Sequence, residues 1–193
     1  MRKTIFKFMS FRMLSFNLIV AVCENFGIGI NGNLPWRIRS ELKYFSRTTK
    51  RTSDPSKHNA VVMGRKTYFG VPEGKRPLPD RLNIVLSTTL QENELPKGVL
   101  LCRNLEAAMK ALEDKNEVEN IWIVGGSGVY EEAMASTRCH RLYITKIHEK
   151  FECDTFFPAI PDSFREVAPD SDTPLGLQEE NGIKFEYKVL EKQ

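Results

Sequence analysis

Short apolar runs alternate with segments of helical periodicity along this 193-residue chain. The runs are rich in β-branched residues and bounded by glycine or polar residues, a pattern typical of buried strands. They cover residues 17–23, 59–63, 81–86, 99–102, 121–124 and 141–147. Apolar positions spaced by 3.6 residues predict helices from about residue 38 and over residues 105–112, and a further short helix follows the glycine pair at 125–126.

The order of these segments predicts an α/β fold. Strands that alternate with helices form a doubly wound, mostly parallel central sheet with helices on both faces. Near the end of the chain, Ile183, Phe185, Tyr187 and Val189 alternate with polar residues, as in a half-exposed strand. The polar stretch 170–182 before them predicts a long hairpin loop, so the C-terminal edge strand is expected to be antiparallel.

Composition indicates one globular domain. The chain is 41% hydrophobic and 27% charged, and its net charge of +3 is too small to indicate nucleic-acid binding by itself. We assign the domain to residues 14–193 and treat residues 1–13, which are basic and free of acids, as an N-terminal extension. That extension reflects either an upstream start or a weak targeting segment, so we expect a cytoplasmic protein and leave a mitochondrial location open.

The cysteines and histidines exclude several kinds of site. No two of the four cysteines form a C-x-x-C pair, and Cys23 and Cys102 lie in apolar runs, which is typical of buried free thiols. We therefore expect a reducing compartment without disulfides. The three histidines are scattered, so no metal site is predicted. No apolar run approaches the ~20 residues of a membrane span.

Two glycine motifs differ in what they predict. Residues 27–32 match G-x-G-x-x-G, but Pro35 follows and no acid lies about 20 residues later, which argues against a standard Rossmann dehydrogenase. A loop that closes over a ligand, or a plain surface turn, fits better. Residues 124–130 instead end a buried strand in adjacent glycines and begin a helix. That arrangement suits phosphate binding, with a tight strand-to-helix turn as the alternative.

Charged side chains follow other predicted strands. Arg65 and Lys66 come directly after Gly64, and Arg103 follows the fourth strand. Ligands of doubly wound folds bind at these strand ends, and cations near an adenosine ribose favour NADPH over NADH. Arg81 precedes a buried strand, where it binds a substrate carboxylate or forms a surface ion pair.

Glu41 lies at the border of a predicted apolar helix face formed by Ile38, Leu42 and Phe45. In an apolar cleft its pKa would be raised, so that it could bind a heterocycle and supply a proton. The pattern alone favours the alternative, a solvated glutamate. Trp36 and Tyr130 are predicted as core or cleft walls.

Seven motifs occur in the order and spacing of dihydrofolate reductases of the eukaryotic type, which the chain resembles from about residue 14 to residue 192. The motifs are Leu18-Ile19-Val20-Ala21, Gly27-Ile28-Gly29 with Leu34-Pro35-Trp36, Glu41 with Tyr44-Phe45, the segment 62–67, the segment 81–87, the segment 122–126 and the segment 154–158.

The resemblance implies a protein that reduces 7,8-dihydrofolate with NADPH and binds folate-like inhibitors. Nothing in the sequence indicates an obligate interface, so we expect a monomer. By resemblance, the catalytic residues are Glu41, Trp36 and Thr145. The implied substrate-binding residues are Ile19, Val20, Leu34, Glu41, Phe45, Arg81, Val124 and Thr145. The implied cofactor-binding residues are Ala21, Ile28, Gly29, Gly32, Gly64, Arg65, Lys66, Thr67, Leu86, Ser87, Thr88, Arg103, Gly125, Gly126, Ser127, Gly128, Val129 and Tyr130.

Four positions depart from the family pattern. They are Asn33, where an aspartate is common; Ser46, where a glutamine is frequent; Tyr68, where a tryptophan is frequent; and Thr88, where an arginine is frequent. A non-catalytic nucleotide- or folate-binding module remains the alternative hypothesis. A P-loop kinase is excluded, because the sequence lacks G-x-x-x-x-G-K-[ST].

Overall fold

A computed structural model describes residues 14–193, and the prediction for residues 1–13 lies outside them. The strands are β1 (Phe16–Val22), β2 (Gly27–Gly29), β3 (His58–Gly64), β4 (Arg81–Leu86), β5 (Leu100–Cys102), β6 (Val118–Ile123), β7 (Cys139–Ile147), β8 (Thr155–Phe156), β9 (Phe164–Val167), β10 (Gln178–Glu180) and β11 (Ile183–Lys192). The helices are α1 (Arg39–Lys50), α2 (Arg65–Gly70), α3 (Leu105–Leu112) and α4 (Ser127–Ala135).

The central sheet has the strand order β10-β11-β7-β1-β6-β3-β4-β5. The pairs between β7 and β5 are all parallel, whereas β11 runs antiparallel to β7. This confirms the predicted sheet. The short strands β9 and β10 add to the outer side of β11, at its two ends, and β2 pairs with β8 in a separate small sheet.

Helices cover both faces of the central sheet, as predicted. Alternate residues of β1 show the division: Phe16, Leu18 and Val20 belong to a core cluster that includes residues of α3 and α4. Ile19 belongs to a second cluster on the other face, which contains Tyr44 of α1 and Tyr68 of α2. Both faces are apolar because the β-strand period of two sends successive side chains to opposite sides.

The buried face of α1 differs from the prediction. Ile38 is buried but precedes the helix as its N-cap residue, and Leu42 is 48% exposed. The buried residues of the helix are Glu41, Tyr44, Thr48 and Thr49. Tyr44 packs against Tyr187 of β11 with ring centroids 4.1 Å apart, so an aromatic pair orients the helix. The predicted apolar face was therefore wrong by part of a turn. The pattern-based inference of a solvated Glu41 was also wrong, because Glu41 lies on the buried face.

Cys23 and Cys102 are buried free thiols, as expected from their apolar runs. Within residues 14–193, no helix is both long enough and apolar enough to cross a bilayer.

Candidate active site

The predicted site residues gather at the carboxyl ends of the parallel strands. The loop 23–35 follows β1, Gly64 ends β3, Ser87 follows β4, and the glycine pair at 125–126 follows β6. Parallel strands bring these ends to one edge of the sheet, where ligands of doubly wound folds bind. The structure thus collects segments that are more than 100 residues apart in sequence.

A buried carboxyl group forms the centre of the site. Glu41, in the first turn of α1, is 5% exposed, and the Oγ1 atom of Thr145 on β7 donates a hydrogen bond to its Oε1 atom at 3.4 Å. Burial raises the pKa of Glu41 from 4.5 to about 7, and the bond from Thr145 opposes that rise. A carboxyl group with this pKa is partly protonated at neutral pH, as a proton donor requires.

Two buried aromatic side chains with polar atoms were predicted as site residues. Trp36 is 7% exposed, and its indole Nε1 has no hydrogen-bond partner among the described residues. The Tyr130 hydroxyl donates to the backbone oxygen of Ile19 at 2.8 Å. Burial raises the pKa of Tyr130, and the negative charge of Glu41 raises it further. Tyr130 is therefore a neutral hydrogen-bond donor rather than an acid.

The apolar residues predicted to surround the substrate divide between two environments. Ile19 packs in the same core cluster as Trp36, and Val124 packs against that cluster, whereas the side chain of Val20 packs on the opposite face of the sheet. Leu34 is 47% exposed and Phe45 is half-buried.

Leu42 was not predicted as a site residue, because the predicted helix face placed it in the core. It is 48% exposed and lies three positions before Phe45, so the two are neighbours on the surface of α1. A large apolar side chain that is half exposed beside a buried acid is the signal of a cleft wall, and it required the helix orientation to recognise.

Arg81, at the start of β4, lies beside the ring of Phe45, with 5.9 Å between its guanidinium carbon and the ring centroid. Its Nη1 donates to Thr49 Oγ1 at 2.7 Å and its Nε to the Pro79 oxygen at 3.0 Å. Burial lowers its pKa to about 10, against an opposing contribution from Asp80. Within residues 14–193 it forms no ion pair. Its remaining donors suit a ligand carboxylate.

Glycines at the ends of β3 and β6 form a narrow cradle. The Gly64 amide donates to the Gly125 oxygen at 2.8 Å. Gly125 has a φ of +134°, and a Cβ there would lie 3.0 Å from Thr67, while a Cβ on Gly126 would lie 3.2 Å from Thr67 Oγ1. A Cβ on Gly64 would lie 3.4 Å from Val129. A side chain is thus disfavoured at Gly125 and would be tight at Gly126, whereas a Cβ on Gly64 would make an ordinary contact.

The first turn of α4 borders this cradle. No side chain caps the helix, whose N-cap residue is Gly126, although the Tyr130 amide donates to the Gly126 oxygen at 3.0 Å. The amides of Ser127, Gly128 and Val129 therefore start the helix without a side-chain acceptor, an arrangement that binds phosphate oxygens.

The predicted phosphate-binding cations lie near the same edge. Arg65 and Lys66 are exposed in the first turn of α2. Arg103, in contrast, uses part of its guanidinium for bonds within the protein. Its Nη1 donates to the backbone oxygens of Ser87 at 2.9 Å and Leu90 at 2.8 Å. The guanidinium thus joins the ends of β4 and β5. Leu86 is buried at the end of β4, while Thr88 is exposed.

The loop after β1 contacts a segment that is distant in sequence, residues 153–157. The amide of Asn31 donates to Asp154 Oδ2 at 2.7 Å, and Ile28 and Gly29 belong to β2, which pairs with β8. Ser127 of α4 in turn donates through Oγ to the Phe156 oxygen at 2.6 Å. Ala21 is half-buried near the end of β1, and Gly32 follows Asn31 with a φ of +75°. The loop, this segment and the glycine cradle therefore form one connected structure.

The fold and the site together define an α/β oxidoreductase with a site for a nicotinamide cofactor. Residues 15–192 match the family model described as dihydrofolate reductase. The chain is 88% identical over 180 residues to the dihydrofolate reductase of Drosophila melanogaster, which covers 93% of this chain and 99% of that protein. It is 57% identical to the Aedes albopictus enzyme, covering 93% of this chain and 98% of that protein. The solved Schistosoma mansoni dihydrofolate reductase superposes with a TM-score of 0.83 at 37% identity, covering 93% of this chain and 99% of that one.

The chain belongs to the dihydrofolate reductase family. The resemblance to the eukaryotic type is confirmed, since vertebrate enzymes match as well, among them that of Sus scrofa at 48% identity over 182 residues, covering 91% of this chain and 97% of that protein.

Proposed function

We propose that this chain catalyses the reduction of 7,8-dihydrofolate to 5,6,7,8-tetrahydrofolate with NADPH. The observation that carries the proposal is the buried Glu41 carboxyl, bonded to Thr145 and with a pKa of about 7. A single acid of this kind is what the reaction needs from the protein, because the pterin gains one proton and no covalent enzyme intermediate forms.

The glycine cradle suits the cofactor. Gly125 and Gly126 have little room for a side chain, and the uncapped backbone amides at the start of α4 suit a pyrophosphate. Lys66 and the Ser87–Arg103 pair supply donors for a 2′-phosphate, which is why we propose NADPH rather than NADH. When bound, the dihydronicotinamide supplies the hydride that C6 of the pterin accepts.

The substrate is proposed to lie across the α1 face of the sheet. Glu41 accepts hydrogen bonds from the pterin amino group and N3, and apolar side chains hold the ring and the benzoyl group. We add Leu42 to these apolar residues, because it is exposed beside Phe45. Arg81 binds the α-carboxylate of the glutamate tail with its remaining donors.

The proton for N5 originates from Glu41 in this proposal. At neutral pH about half of the carboxyl groups with a pKa of about 7 are protonated. The unpartnered Nε1 of Trp36 orients a water between this carboxyl and N5. Thr145 positions the carboxyl, and closure of the loop after β1 over the ligands would keep bulk water away from the reacting atoms.

Glu41→Gln tests this assignment in the purified protein. We expect kcat at neutral pH, measured as the loss of NADPH absorbance on addition of dihydrofolate, to fall by about 10²–10⁴-fold. Activity should recover partly in acidic medium, where solvent protonates the substrate. Glu106→Gln is the matched control, because that side chain is 75% exposed and remote from the site.

Equal turnover of wild type and Glu41→Gln would show that the proton donor is misassigned. If neither turns over while both are stabilised by NADPH, the protein is a binding module instead.

A further inference from the structure

Two cysteines from distant parts of the sequence lie side by side where the loop that follows β1 begins. Cys23 comes directly after β1 and Cys153 lies two residues before β8, and their Sγ atoms are 3.9 Å apart. Cys23 is 3% exposed and Cys153 is half-buried, so a small reagent reaches the pair from the Cys153 side. Cys102 and Cys139 belong to the core cluster on the opposite face of the sheet.

Polar and backbone groups hold the two thiols in place. Cys23 Sγ donates to Asn25 Oδ1 at 2.8 Å, and the Gly27 amide donates to the same oxygen at 3.3 Å. A Cβ on Gly27 would lie 2.2 Å from Cys153 Sγ and 3.0 Å from Cys23 Sγ. The backbone of Gly27, the first residue of β2, therefore rests against both sulfur atoms.

We propose that Cys23 and Cys153 form a redox-modification site at which a hydroperoxide converts the two thiols to a disulfide. The Cys153 thiolate attacks the terminal oxygen of the hydroperoxide, whose O–O bond breaks, and gives a sulfenic acid and water or an alcohol. The Cys23 thiolate then attacks the Cys153 sulfur and displaces hydroxide, which takes up a proton and leaves as water. Both sulfurs are oxidised by one electron each, and the hydroperoxide takes up the two electrons and two protons.

The resulting bond changes the loop. A disulfide brings its sulfurs to about 2.05 Å, so the pair must approach by about 1.9 Å from its present separation. Because Gly27 rests against both sulfurs, this approach displaces β2 and with it Ile28. By the proposed function, on which this step rests, Ile28 contacts the nicotinamide, so the oxidised protein turns over more slowly.

Burial and the neighbouring Cys23 raise the pKa of Cys153 to about 11. Since the thiolate is the reactive form, the oxidation rate is expected to rise about tenfold for each pH unit between pH 7 and 10.

The test is oxidation of the full-length protein with hydrogen peroxide, followed by mass spectrometry without reduction. We expect a loss of about 2 Da, a linked pair of peptides containing Cys23 and Cys153, and a decrease in free thiols from four to two. Cys23→Ser and Cys153→Ser should each abolish the linkage, and Cys139→Ser should not. Sulfinic acid at about +32 Da without a linked peptide, or a linkage that persists in Cys153→Ser, would overturn the proposal.

Turnover provides the second measurement. Oxidised wild type should lose at least about threefold in kcat and recover with dithiothreitol, while Cys23→Ser keeps its activity through the same treatment. An unchanged kcat in protein that carries the Cys23–Cys153 disulfide would refute the proposed displacement of β2 and Ile28. The linkage is read by mass alone, so a protein that forms it without reducing dihydrofolate would count against the proposed function and not against the thiol pair.

Discussion

At the scale of single residues, the Glu41 carboxyl determines part of the pH dependence of stability. Its pKa is about 7 in the folded protein and 4.5 in its ordinary state, which the unfolded chain approximates. Below pH 4.5 both states are protonated. Between pH 4.5 and 7 the unfolded state loses its proton first, so the free energy of unfolding falls as the pH rises. Above pH 7 the loss is complete, at about 3 kcal/mol for a shift of this size.

Glu41→Gln removes this titration and keeps a polar side chain of the same size. We expect the mutant to gain stability relative to wild type across pH 4.5–7, by up to about 3 kcal/mol, and to hold that gain above pH 7. Urea denaturation at half-unit pH steps measures the difference. Glu106→Gln, at a side chain that is 75% exposed, is the control for the same substitution at a surface carboxyl. A flat difference for Glu41→Gln would mean that the buried carboxyl does not resist ionisation.

The proposed role of Glu41 followed from family resemblance and not from its position in the pattern. Periodicity places a residue on a helix face, but the partner that makes its burial tolerable is Thr145, 104 positions away. The same holds for Arg81, which contacts Thr49 across 32 positions. Side-chain partners from other elements are set by the tertiary fold, which no local pattern contains.

At the scale of elements, strands buried on both faces were predicted to within a few residues, because each is a continuous apolar run. The strand β4 was predicted with its observed bounds, as was the helix α3. The strands β2, β8, β9 and β10 were not predicted. They have two to four residues each and few buried side chains, so backbone pairing with a neighbouring segment defines them.

The turn from β6 into α4 makes a quantitative test at this scale. Gly125→Ala places a Cβ 3.0 Å from Thr67 at a φ of +134°, which L-residues rarely adopt. We expect this substitution to lower the free energy of unfolding by about 1–3 kcal/mol and to weaken NADPH binding. Gly128→Ala is the stability control, since its Cβ meets nothing within 4 Å, and it should change the unfolding free energy by less than about 1 kcal/mol. Similar stabilities for both variants would contradict the inference that the turn has no room for a side chain at Gly125.

At the scale of the whole molecule, the topology brings separate chemical tasks to one sheet edge. The acid and its threonine lie on the α1 face, while the glycine cradle joins the ends of β3 and β6 in the middle of the sheet. The predicted phosphate-binding cations Arg65 and Lys66 follow β3, and Arg103 follows β5. In the sheet, β4 lies between these two strands. A ligand that spans these positions binds the native state and not the unfolded chain, so its affinity appears as stability.

That linkage distinguishes NADPH from NADH without turnover. If the 2′-phosphate gives a tenfold difference in affinity, NADPH stabilises the protein by about 1.4 kcal/mol more than NADH at equal excess, or about 3–6 °C in Tm. Lys66→Gln should reduce the NADPH shift toward that of NADH, because Lys66 is exposed at the predicted phosphate position and its removal leaves the Arg103 bonds to Ser87 and Leu90 intact. Lys110→Gln, on the exposed side of α3, should leave both shifts unchanged. Equal shifts for the two cofactors in wild type would show that the cations do not bind a 2′-phosphate. The glycine cradle would then be the only support for a nicotinamide cofactor.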